Sequence, residues 1–151
     1  MTTFILPFGS SDATLARVGG KGANLGRLAR AGFPVPPGFL ITTAAYRAFV
    51  QANDLHARVV ALATDKTKTA EEASAAIRRL FERGRIPPEV AVAIQPAYVE
   101  LMHLTGDTSP VAVRSSATAE DLSNASFAGQ QESYLNLRGE QALLEAVKRC
   151  W

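Results

Sequence analysis

Residues 111–134, Val-Ala-Val-Arg-Ser-Ser-Ala-Thr-Ala-Glu-Asp-Leu-Ser-Asn-Ala-Ser-Phe-Ala-Gly-Gln-Gln-Glu-Ser-Tyr, constrain this chain most. They join a buried-strand signal to a long hydroxyl-rich loop that is not low in complexity. The apolar run Val111, Ala112, Val113 ends at Arg114, so a cation stands where a strand emerges. Ser115, Ser116 and Thr118 follow as neutral donors. A guanidinium among hydroxyls is phosphate-binding chemistry.

A second element, Val18-Gly19-Gly20-Lys21-Gly22-Ala23-Asn24-Leu25-Gly26, sets a lysine inside a glycine cluster at the start of a helix. Glycines let backbone approach a ligand and leave N–H groups unshielded, and a first helical turn offers orphan donors at the positive end of the dipole. The spacing is not a Walker A motif, which needs glycine at Leu15 and a hydroxyl at Gly22. The dinucleotide fingerprint fails as well, because Leu25 stands where its last glycine belongs. From spacing alone, Lys21 either holds a polyphosphate or is a solvated lysine after a structural turn.

These segments, with Gly32-Phe33-Pro34-Val35-Pro36-Pro37-Gly38-Phe39 between them, resemble the amino-terminal nucleotide-binding region of the phosphoenolpyruvate synthase, pyruvate phosphate dikinase and rifampicin phosphotransferase family. The resemblance runs through nearly the whole chain. It is most specific in Val-Arg-Ser-Ser-Ala-Thr-Ala-Glu-Asp and in Phe127-Ala128-Gly129-Gln130, and least so in the helical middle. It implies ATP and Mg2+ as ligands, with Lys21, Arg114, Gly129 and Ser133 at the nucleotide. Close relatives often carry threonine where Ser133 stands; the hydroxyl is retained, but serine lacks the second branch that stiffens the side chain.

The resemblance further implies that residues 1–151 are the amino-terminal part of a partial ATP-grasp-type domain. The missing carboxy-terminal half would carry the adenine pocket and the acidic magnesium ligands. A phosphohistidine on another domain would relay phosphate to pyruvate, or to rifampicin in the resistance branch, and no phospho-carrier segment of that kind is present here. An alternative of another class is a stand-alone nucleotide-binding or interaction module that docks through its last helix.

Patterning predicts an α+β fold: a helix-rich amino-terminal portion followed by a strand-loop-strand unit. Phe4-Ile5-Leu6 reads as a short strand. Leu25, Leu28 and Ala29 recur at helical spacing from Gly22 to Ala31, with Gly32 as the stop. Pro34, Pro36 and Pro37 lead into a strand at Gly38-Phe39-Leu40-Ile41, and Thr42 or Thr43 caps a helix carrying Tyr46, Phe49 and Val50. Leu55, Val59 and Leu62 continue the period. Thr69-Ala70-Glu71-Glu72 has the form of a capping box opening a helix that buries Ile77, Leu80 and Phe81 and stops at Gly84. Pro87 and Pro88 open another helix, with Val90, Ile94, Tyr98, Leu101 and Met102 on one face. A strand near Gln131 to Leu137 and a helix from about Glu140, presenting Leu143, Leu144, Val147 and Trp151, complete the reading. That helix reaches Trp151 without a capping residue, as a cut chain would.

Composition narrows the partners. The 151 residues suit one domain, and 47% hydrophobic residues supply a sizeable core. Sixteen basic against 14 acidic residues leave +2, too even for a nucleic-acid or membrane partner held by bulk charge. The lone Cys150 forms no internal disulfide and no apolar stretch reaches membrane-spanning length, so a cytoplasmic location is expected. Arg78, Arg79, Arg83 and Arg85 read as a solvated helix face. Glu120 and Asp121 read as turn caps or partners of Arg114 rather than magnesium ligands, and His56 and His103 as surface or boundary residues.

Overall fold

A computed structural model describes residues 2–118 and 133–151. Within them the chain runs β1 (Ile5–Pro7), α1 (Leu15–Arg30), β2 (Phe39–Ile41), α2 (Thr43–Ala52), α3 (Leu55–Thr64), α4 (Ala70–Arg83), α5 (Pro88–Thr105), β3 (Val111–Arg114), β4 (Ser133–Leu137) and α6 (Glu140–Cys150). This is the helix-rich α+β architecture that the patterning predicts.

β1 and β2 pair antiparallel, Leu6 opposite Leu40 and Ile5 opposite Ile41. Because successive strand residues face opposite sides, the two pairs serve different layers. Leu6 and Leu40 join Ala13 and Val18 beneath α1, while Ile5, Phe39 and Ile41 pack against the central cluster of Ala45, Val90, Ile94, Tyr98, Met102, Leu143 and Val147. α5 is thus the central post, with the small sheet, α2 and α6 around it. A third cluster, Phe49, Leu55 and Phe81, joins α2, α3 and α4.

Local chemistry explains most boundaries. Gly32 takes φ 78° and donates to Ala29, while Phe33 donates to Leu28, the paired bonds of a Schellman stop after α1. The Thr69 hydroxyl accepts from the Glu72 N–H at 3.2 Å, and the Glu72 carboxylate accepts from the Thr69 N–H at 2.8 Å, so the capping box is formed in full. Thr42 holds the N-cap position of α2, but its hydroxyl donates to the Thr3 carbonyl instead of capping. Pro88 opens α5, where its missing N–H costs nothing.

Three expectations are corrected. The first helix starts at Leu15 rather than near Gly22, and Gly19, at φ 70° and ψ 177°, interrupts it. Leu28 is 43% exposed despite its helical spacing. The last helix is no open docking surface: Leu143, Ala146 and Val147 are buried, and Trp151 lies against Phe49 with ring centroids 4.9 Å apart.

β3 and β4 pair with an irregular register: Val111 faces Leu137, but Val113 faces Tyr134. One extra β4 residue lies between these pairs, and Asn136 takes φ 58° there. Tyr134 and Leu137 are an odd number of positions apart, so a regular strand would turn them to opposite faces. The bulge lets both stay partly buried while Leu135, 65% exposed, points out.

Candidate phosphate-binding site

The site is built where α1 breaks. At Gly19 the backbone leaves helical geometry, and helix resumes with Gly20, so Lys21 lies in the first turn of the resumed segment. Glycine is required at the break twice over. Its positive φ disfavours any L side chain, and an added Cβ would lie 2.4 Å from both the carbonyl and hydroxyl oxygens of Ser116.

That approach stitches the helix break to the chain leaving β3. The Gly20 N–H donates to the Ala117 carbonyl at 3.0 Å. The Gly22 N–H donates to the Ser116 hydroxyl oxygen at 3.1 Å, and the Lys21 ammonium donates to the Ser115 carbonyl at 3.4 Å. Lys21 is partly buried and Arg114 is exposed, and the carbonyl Lys21 touches belongs to the residue directly after Arg114. Across the hairpin Arg114 is the register partner of Ser133. Directly opposed strand residues project to the same side, so the arginine and the serine hydroxyl share one face of the hairpin end.

The fold therefore gathers Lys21, Arg114 and Ser133. Gly129, Glu120 and Asp121 lie outside the described residues. The sequence reading expected the glycine amides to be unshielded; those of Gly20 and Gly22 are instead taken by Ala117 and Ser116. This structural use of Ser116 was missed, and the glycine run carried the only signal for it, since adjacent glycines also mark close approach of a second backbone. His56, His103, Arg78, Arg79, Arg83 and Arg85 are all exposed, but Arg85 lies beyond the end of α4 and so is not on that helix face.

The arrangement fits a polyanion. The Lys21 ammonium meets the residue after Arg114, Ser133 lies opposite Arg114, and the Ser115 hydroxyl oxygen is buried without a hydrogen-bond partner among the described residues. Among the described residues no three His, Cys, Asp or Glu side chains cluster.

Residues 15–151 match the family model of the pyruvate phosphate dikinase AMP/ATP-binding domain. The chain belongs to this family. Its relatives include phosphoenolpyruvate synthase of Aeropyrum pernix, 48% identical over 93% of this chain and 18% of the relative. A probable phosphoenolpyruvate synthase of Methanothermobacter thermautotrophicus is 43% identical over 98% of this chain and 22% of the relative. Phosphoenolpyruvate synthase of Pyrococcus furiosus is 41% identical over 89% of this chain and 21% of the relative. The chain thus spans about a fifth of the length of these relatives. As a member of this family, the chain is part of an AMP/ATP-binding domain. Among the described residues no helix is long and apolar enough to cross a membrane.

Proposed function

We propose that this chain is the MgATP-binding portion of a phosphoenolpyruvate synthase-like phosphotransferase, and that Lys21, Arg114, Gly129 and Ser133 hold the nucleotide. The observation that carries the reading is the Lys21 ammonium on the Ser115 carbonyl, next to Arg114, in a member of the AMP/ATP-binding domain family. ATP supplies the phosphoryl group, and Mg2+ enters with its phosphates.

Lys21 acts as a compact point charge, and Arg114 as a planar fork suited to two phosphate oxygens. Ser133, opposite Arg114, donates its hydroxyl to the same phosphate edge. Phosphoryl transfer asks a protein mainly for positioning and charge stabilisation, and the stitched helix break supplies a fixed separation between the cations. The whole activity needs an ATP-grasp partner half, a phosphohistidine domain and a pyruvate site. That these relatives are named phosphoenolpyruvate synthases favours pyruvate as acceptor over rifampicin. A cytoplasmic location suits such an enzyme.

The test is to read the source gene past the codon for Trp151 and assay its full product. Pyruvate-dependent conversion of ATP to AMP, phosphate and phosphoenolpyruvate supports the reading. A full product that cleaves ATP only with another acceptor overturns the pyruvate assignment.

A further inference from the structure

Ser116 meets the helix break with both its side chain and its backbone. Its hydroxyl oxygen accepts from the Gly22 N–H at 3.1 Å. Its carbonyl and hydroxyl oxygens fill the space where a Cβ at Gly19 would stand, 2.4 Å from each. On either side of it, Ser115 offers its carbonyl to Lys21 and Ala117 offers its carbonyl to Gly20. Three consecutive residues after Arg114 thus meet three consecutive residues at the helix break, and Ser116 is the middle of the first set.

Lys21 lies between the two glycine amides in this ladder. Its backbone is bracketed by the bonds at Gly20 and Gly22, so the origin of its long side chain is fixed relative to Arg114. A lysine has a flexible four-carbon stem and loses rotamer freedom on binding an anion. Fixing its root lowers the share of that cost paid at the moment of binding.

We propose that Ser116 is a positioning residue that acts through Lys21: by holding the Gly22 amide it sets Lys21 beside Arg114, and it does not itself ligate phosphate. This rests on the phosphate-site reading above. The hydroxyl accepts from a helix amide, so Ser116→Ala removes the acceptor, adds no bulk and keeps both cationic residues in the chain.

The experiment is an NMR titration of the chain with MgATP, which reads weak binding, in four forms: wild type, Ser116→Ala, Lys21→Ala and the double variant. Melting curves confirm that each is folded. Ser116→Ala is expected to speed hydrogen exchange at the Gly22 amide and to weaken MgATP binding about three- to tenfold, the worth of one hydrogen bond. Added to Lys21→Ala, it is expected to cost nothing further, because residues that act as one unit are not additive. An unchanged Gly22 exchange rate or an unchanged affinity overturns the inference. A full extra loss in the double variant also overturns it, since the hydroxyl would then touch phosphate on its own account. If Lys21→Ala and Arg114→Ala both leave binding unaltered, the phosphate-site reading fails and takes the inference with it.

Discussion

Arg114 and Ser133 are register partners where β3 ends and β4 begins. Two residues far apart in sequence thereby project from one face of the strand pair, and the residue after Arg114 offers its carbonyl to the Lys21 ammonium. The broken helix and the chain leaving β3 meet at this bond.

Gly19→Ala tests whether the break is held by close approach. Positive φ and the 2.4 Å contact with Ser116 act together there. The expected loss is about 2–4 kcal/mol in urea unfolding, the sum of left-handed strain and overpacking. Gly32→Ala is the control: φ is similar, 78°, but nothing lies within 4 Å, so the expected loss is about 1–2 kcal/mol. Equal losses would mean that Ser116 does not crowd Gly19.

Phe49 is fully buried between Phe81 and Trp151, with centroid separations of 5.7 and 4.9 Å. Phe49→Ala is expected to cost about 3–5 kcal/mol. Because Trp151 is the sole tryptophan, its fluorescence should shift in the folded variant as well as on unfolding. A loss below about 1 kcal/mol would contradict the packing of the α2–α4 cluster around this ring.

Hydrogen bonds from the Thr69 backbone N–H and hydroxyl group hold the Glu72 carboxyl below its ordinary range. A depressed folded-state pKa means stability that is present above the unfolded value, about 4.3, and lost as pH falls through the folded one. Acid titration of wild type against Glu72→Gln should therefore show the wild type's advantage at neutral pH shrinking below about pH 4. An advantage that persists unchanged in acid would contradict the capping box.

Much of this fold was legible because its signals are local. The Thr69–Glu72 box, the Gly32 stop and the prolines before α5 each act within a turn of the chain, and all formed as read. The break at Gly19 was not legible: glycine permits φ 70°, but the contact that requires it comes from Ser116, far along the sequence. The β4 bulge carries no glycine or proline, and only packing of Tyr134 and Leu137 on one face demands it. At the candidate site, residue type pointed to Lys21 and Arg114, and the family resemblance to Ser133. That the neighbouring amides serve the chain itself is a tertiary fact, invisible to spacing.

Isothermal calorimetry of MgATP against the wild-type chain, Lys21→Ala and Arg114→Ala tests the central claim most directly. Loss of one charge-assisted contact should weaken binding by about ten- to a hundredfold in each variant. Binding that is the same in all three would contradict the assignment of this edge to the nucleotide's phosphates.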